Sequence, residues 1–242
     1  LENVTDTYEN LVISPLKKGL LDGIPIAIGY MPVALTFGLI AGSTGLAVSE
    51  SVLMSMIVFA GASQYMALSM IAVGSTALEI IAATFIVNFR HLLMSASIHE
   101  RAEKSSKKMR ALYAFGLTDE VFAVASTKTP PIKPGYILGT AIMAYTSWVS
   151  FTAVGFFAGA ILPWFLQESM AIALYALFIA LLIPSIKKEG KIVIILALLG
   201  GLFHVFFAIW LSTGWAIMFA TIAAVSVYEL TERFVLKGDV TE

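Results

Sequence analysis

Residues 76–98 read TALEIIAATFIVNFRHLLMSASI. The run is long enough to cross a hydrocarbon core of about 30 Å, which takes about 20 apolar residues. A lone strand or loop cannot satisfy its backbone in lipid, so the run is expected to be a helix. At 100° per residue, Thr84, Asn88, His91, Ser95 and His99 fall on one narrow face of that helix. A polar stripe of this length belongs against protein or water rather than lipid. Arg90 points to the other side, about eight residues from the end of the run, or roughly 12 Å deep. A guanidinium at that depth needs an anionic partner.

The rest of the chain is of the same kind. Hydrophobic residues make up 59% of the 242 residues and charged residues 13%. Soluble domains run near 45–50% apolar and about 25% charged. Six further apolar segments lie at about 19–43, 50–73, 135–162, 168–185, 192–212 and 214–236. The expected fold is therefore all-α: a polytopic transmembrane bundle of about seven spanning helices. The connections are short and rich in Gly, Pro, Ser or charge. No linker marks a second domain, so residues 1–242 are expected to form a single membrane domain. Residues 1–18 are polar and of mixed charge, unlike a cleavable signal peptide, and 237–242 form a polar tail.

The net charge of −1 gives no basic footprint for nucleic acid. Without cysteine there is neither a disulfide framework nor a thiolate metal site. The metalloprotease, Walker A, nucleophile-elbow and dinucleotide motifs are all absent, so no enzyme, metal or cofactor is expected.

Residues 109–127, MRALYAFGLTDEVFAVAST, are apolar at both ends and carry Asp119 and Glu120 in the middle. The segment either crosses, re-enters or lies along the interface. If it does not cross, the basic residues of 99–110, 128–134, 186–191 and the tail share one face with the C-terminus, which the positive-inside rule makes cytoplasmic. Lys17 and Lys18 are then left on the other side, unless the glycine- and proline-rich first segment itself re-enters. Phe37–Gly42 and Val154–Gly159 are similar. With 109–127 not crossing, they would mark a 3+3 inverted repeat, an arrangement that suits alternating access.

Two further places could carry chemistry. Phe59-Ala60-Gly61-Ala62-Ser63-Gln64-Tyr65 sits within the second segment. Its small residues allow either close packing or a break. A break exposes backbone N–H groups that can hold a carboxylate, with Gln64 and Tyr65 adding hydrogen bonds. Thr118-Asp119-Glu120 reads as a helix start capped by Thr118 or Asp119. Its carboxylates could pair with Arg90, meet an ammonium or carry a proton. His204 is alone in its span, and Trp148 lies deeper than the interfacial tryptophans.

The runs FAGASQYMAL (59–68), TFIVNFRHLLMSASI (84–98) and AFGLTDEVFA (114–123), with GIPIAIGYMPVALTFGLIA (23–41) and ALYALFIALLIP (173–184), resemble the AzlC family of branched-chain amino-acid exporter subunits. The resemblance implies a two-component exporter in a prokaryotic cytoplasmic membrane. It also implies a small AzlD-type membrane partner and leucine, isoleucine, valine or methionine as substrates. The family's motif positions correspond to Gly61, Ala62, Ser63 and Gln64, to Asn88, Arg90 and His91, and to Thr118, Asp119 and Glu120. Relatives often carry a proline near Leu174–Ala176, where Tyr175 stands here. The expected site has Gly61, Ala62, Ser63, Gln64, Tyr65, Asn88 and Arg90 around the zwitterion. His91, Asp119 and Glu120 serve as ion-pair or proton groups, and Phe59, Phe85 and Met94 lie against the aliphatic tail. The same span pattern also admits a membrane sensor or scaffold, or a passive channel for small zwitterions.

Overall fold

The computed structural model describes residues 14–161 and 190–238, together with 183, 186 and 187. The predicted span 168–185 lies outside the described residues apart from Ile183, and so do Trp164 and Tyr175. Among the described residues there are ten helices and no strand. They are α1 (Pro15–Asp22), α2 (Ile24–Ser43), α3 (Val48–Ile57), α4 (Gly61–Ala72) and α5 (Ala77–Arg101), followed by α6 (Lys107–Phe115), α7 (Asp119–Ser126), α8 (Pro134–Ile161), α9 (Lys191–Ala208) and α10 (Thr213–Gly238). Five are long and apolar enough to cross a membrane: Ile24–Ser43, Ala77–Arg101, Pro134–Gly159, Lys191–Ala208 and Gly214–Thr231. The chain is thus a polytopic helical membrane protein.

The helices start where local chemistry dictates. Ser14 accepts from Lys17 N and precedes Pro15, whose missing N–H costs nothing in a first turn. Ser106 caps α6 through Met109 N, and Thr118 caps α7 through Val121 N. At α3 the N3 residue Glu50 reaches back to the N–H of Ala47.

The chain divides into two compact units. The first comprises Leu1–Gln64 and Asn88–Ala171, the second Tyr65–Val87 and Ile172–Glu242, so the boundary passes through α4 and α5.

In the first unit α1 and α2 run side by side with α8 in the same direction. Glycines make the approach close. A Cβ on Gly38 would lie 2.0 Å from the carbonyl oxygen of Thr152, and one on Gly155 would lie 2.0 Å from that of Leu35. Gly19 and Gly139 meet Tyr136 O and Leu16 O in the same reciprocal way, at 2.1 and 2.2 Å. Backbones that touch like this gain dispersion contacts, which drive helix association in lipid where no hydrophobic difference is available. The matched motifs Phe37–Gly42 and Val154–Gly159 therefore face each other across two parallel helices. This corrects the expected inverted repeat, in which the matched spans would run in opposite directions.

The physical reason lies in 50–73. This segment is not one spanning helix but two short ones, α3 with 10 residues and α4 with 12, each about half of what a bilayer needs. They are separated at Val58–Ala60, where Phe59 takes a left-handed φ of 41°. Gln64 Nε2 donates to Ser55 Oγ at 3.0 Å. Residues nine apart on a straight helix would be roughly 13.5 Å apart along the axis. The chain has therefore turned back on itself, and 50–73 forms a hairpin of half depth.

Residues 107–126 form a second hairpin. Arg101, at the end of α5, donates to the carbonyls of Ser126 and Lys128 just beyond α7, at 3.0 Å each. Ala102 and Ile132 form a bridge, and α8 begins immediately after. So 107–126 leaves the end of α5 and returns to it, which excludes the crossing alternative.

The same end of this unit holds α1, because Lys128 Nζ pairs with Asp22 Oδ2 at 2.8 Å. Lys17 and Lys18 therefore share an end with the basic residues of 99–110 and 128–134. The expectation that they lie opposite fails because 50–73 does not cross.

Tyr136 also donates to Asp22, at 2.7 Å. The hydrogen bond from Lys128, then that from Tyr136, hold the Asp22 carboxyl below its ordinary range, and the bond to Asp22 raises Lys128. Asp22 lowered in the fold contributes stability that is present above the unfolded value of about 3.9 and lost as pH falls through the folded value. Lys128 raised in the fold contributes stability present below about 10.4 and lost as pH rises past its folded value. Both side chains are about one-third exposed, so the effect is modest. Asp22→Asn is expected to lower the melting temperature in detergent at neutral pH, and the gap to wild type should close on acidification. Fluorescence-detected melting at several pH values reads this directly.

In the second unit Glu79 is buried and accepts from Thr76 N at 2.7 Å, Thr76 Oγ1 at 3.0 Å and Ser212 Oγ. This capping box ties the start of α5 to the α9–α10 turn. Gly214 admits Glu79 and Met70, since a Cβ there would lie within 2.7 Å of both side chains.

Candidate functional site

The tips of the two hairpins meet beside α8, which meets them in order along its length. Ala141 lies against Gly116 at the second tip, where an added Cβ would lie 2.5 Å from that of Ala141. Tyr145 packs edge-on against Phe59 at 5.1 Å and Phe115 at 6.0 Å. Trp148 fills the space over Gly61, and Thr152 pairs with Ser55. The Phe59 and Phe115 rings are 6.5 Å apart, so each tip contributes one ring to a shared aromatic layer. From α2, Tyr30 adds edge contacts to Phe59 at 6.5 Å and Trp148 at 5.2 Å.

A closed polar network fixes the first tip. Gln64 Oε1 accepts from Trp148 Nε1 at 3.0 Å and Ala60 N at 3.3 Å, and its Nε2 donates to Ser55. Ser55 is 2.8 Å from Thr152 Oγ1, which itself donates to Trp148 O. Ser63 donates to Ala60 O and accepts from Asn88 Nδ2 at 3.0 Å. These bonds satisfy backbone groups that a broken helix would otherwise leave bare in an apolar setting. Gln64 is 0% exposed and Tyr65 1%. Gln64 holds the break in place.

The second tip carries the charge. Arg90 Nη1 meets Asp119 Oδ2 at 2.8 Å, with the side chains 40% and 37% exposed. Here α5 runs eleven residues past Arg90, to Arg101, roughly 16 Å along the helix. Thr118, Asp119 and Glu120 form the cap and first turn of α7, where backbone N–H groups favour negative charge. The Tyr30 hydroxyl lies 2.7 Å from Thr118 Oγ1 and donates to Glu120 Oε2. His91 is half-buried and within electrostatic reach of Arg90, Asp119 and Glu120. Two enclosed polar atoms of this cluster have no hydrogen-bond partner, the acceptor Asn88 Oδ1 and the donor Arg90 Nε.

The sequence-predicted residues of the 59–65, 88–91 and 118–120 runs that lie in the first unit are thus brought together by two hairpins. Phe85 belongs to the second unit and is 67% exposed. Tyr30, Phe115, Tyr145 and Trp148 were missed as site residues. Trp148 alone gave a signal, its depth within a span. Among the described residues no cluster of three or more potential metal ligands occurs.

The Arg90–Asp119 pair thus lies partly exposed beside an aromatic layer to which both hairpin tips contribute. The chain belongs to the AzlC family: the family model for AzlC protein matches residues 25–162. It is 35% identical over 193 residues to the inner membrane protein YgaZ of Escherichia coli (strain K12), covering 76% of this chain and 79% of that protein. An uncharacterized membrane protein of Archaeoglobus fulgidus is 36% identical over 173 residues, 71% of this chain and 76% of that one. The branched-chain amino acid transport protein AzlC of Bacillus subtilis (strain 168) is 27% identical over 171 residues, 69% of this chain and 66% of that one. No solved structure matches the chain.

Proposed function

We propose that the protein is the large subunit of a secondary transporter that exports branched-chain amino acids across a prokaryotic cytoplasmic membrane. In this reading it works with a small AzlD-type membrane partner and is driven by an ion or proton gradient. The end bearing Lys17, Lys18 and the 99–110 and 128–134 loops faces the cytoplasm, as the positive-inside rule directs. The observation that carries the reading is the Arg90–Asp119 pair with Arg90 Nε unfilled, while Asn88, two residues back on α5, donates to Ser63 of the first tip and leaves its Oδ1 unfilled.

A zwitterion supplies what these groups lack. Its carboxylate goes to Arg90, whose planar fork suits a carboxylate, and its ammonium to Asp119 or Asn88. The first-turn backbone of Gly61, Ala62 and Ser63 adds donors. The aliphatic side chain lies against Phe59 and Tyr145. The name of the Bacillus subtilis relative supports the substrate class. The test is counterflow of radiolabelled leucine in proteoliposomes, with and without a co-purified small subunit. Saturable exchange that unlabelled isoleucine and valine compete for supports the reading. Binding without flux would point to a sensor, and flux that never accumulates against a gradient to a passive channel.

A further inference from the structure

The two adjacent carboxylates of the second tip are not equivalent. Asp119 is neutralised by Arg90. Glu120 has no ion-pair partner among the described residues, and its carboxylate is held by the Tyr30 hydroxyl. Both carboxylates sit in the first turn of α7, so the helix end does not separate them. The difference comes from across the gap. On one side α5 presents Arg90 to Asp119; on the other α2 presents a phenol to Glu120. The charged or titratable groups around Glu120 are Tyr30 on α2, Arg90 and His91 on α5 and Asp119 on α7. The first tip brings the aromatic ring of Phe59 against Tyr30 rather than a charge.

Resting on the transport reading, we infer that Glu120 is the proton-carrying group of the transport cycle and that Tyr30 couples its protonation to the hairpin tips. Protonating Asp119 would break an ion pair and leave Arg90 without its carboxylate. Protonating Glu120 strands no charge. The carboxylate takes one proton from water at one end, becomes a neutral carboxyl, and returns that proton to water at the other end. Tyr30 makes the event mechanical. It is the one side chain described here that hydrogen-bonds the second tip and packs edge-on against both Phe59 of the first tip and Trp148. A bond to an ionised acceptor is roughly twice as strong as one to a neutral acceptor. Neutralising Glu120 therefore weakens the link between α2 and the second tip.

The experiment uses the full chain, with its small subunit if counterflow requires one, in proteoliposomes. Wild type, Glu120→Gln, Glu120→Asp and Tyr30→Phe are compared in leucine exchange at equal pH and in leucine accumulation under an imposed pH gradient. Glu120→Gln is expected to exchange leucine but to lose gradient-driven accumulation at least about tenfold, an effect of 1.4 kcal/mol. Glu120→Asp should recover part of that accumulation, and Tyr30→Phe should shift the pH dependence of exchange. Accumulation by Glu120→Gln at the wild-type level would overturn the proposal. So would a wild-type protein that exchanges leucine but ignores the pH gradient, which leaves the transport reading standing. Absence of exchange in wild type would sink the transport reading and this inference together. Loss of both activities in a Glu120→Gln protein that melts like wild type would place Glu120 in the substrate site instead.

Discussion

Arg90→Ala is expected to abolish saturable leucine counterflow while leaving the protein inserted and monodisperse. The truncation removes the only cation that pairs with Asp119 among the described residues and the group proposed to take the substrate carboxylate. Removing one partner of a hydrogen-bonded charge pair costs roughly 2–5 kcal/mol where water is scarce, or tens to thousands of fold in rate. Folding should survive, because the pair is partly exposed and the end of α5 stays tied to the end of α7 by the Arg101 bonds to Ser126 and Lys128. Arg90→Lys keeps the charge but loses the planar fork, so it should fall between wild type and alanine. The double exchange Arg90→Asp with Asp119→Arg separates two roles. It restores a mere structural clasp, but it does not restore transport if Arg90 must face the substrate from α5. Counterflow rates of the three variants at matched protein content decide this.

The second large effect is on folding. Gly38→Ala and Gly155→Ala each drive a Cβ to 2.0 Å from a carbonyl oxygen of the opposing helix. The obstacle is backbone on a long helix, so it cannot rotate away, and α2 and α8 must separate. Overpacking costs typically 1–3 kcal/mol, and a backbone clash belongs at the upper end. At roughly 2–4 °C per kcal/mol for a chain of this size, the melting temperature should drop by about 6–12 °C. Gly29→Ala on α2 and Gly200→Ala on α9 meet nothing within 4 Å and should melt like wild type. A uniform response at all four positions would mean that α2 and α8 do not touch as described.

Much of the site was legible because charge at depth is expensive. Arg90 demanded an anion, and Asp119 and Glu120 were the acidic pair in a mid-apolar context, so the Arg90–Asp119 pairing was readable before any coordinates. Thr118 as a cap was equally plain, from its place before two acidic residues. What hydropathy does not carry is direction. An apolar run of 24 residues, 50–73, has the length of a span whether it crosses or folds back, and the decision rests on three residues, Val58–Ala60. The glycine motifs revealed a repeat, but its sense follows from that same turn. Two signals could have exposed the hairpin. Ser51, Ser55, Ser63 and Gln64 place four polar groups, all buried, in one apolar run. Folding 50–73 back also moves Lys17 and Lys18 to the basic end, a better positive-inside balance than the crossing model gave. Tyr30 and Tyr145 gave no such signal, because a tyrosine in a span reads equally well as packing.

The two hairpins enter from opposite ends, and the absence of cysteine makes that directly measurable. Single variants Ser43→Cys and Lys104→Cys are labelled in oriented membranes with a membrane-impermeant maleimide. Because α3–α4 turns back and α5 crosses, the two should label from opposite sides. If Ser43→Cys and Lys104→Cys label from the same side, then 50–73 crosses the membrane as α5 does, the tips do not meet, and the site described here does not exist.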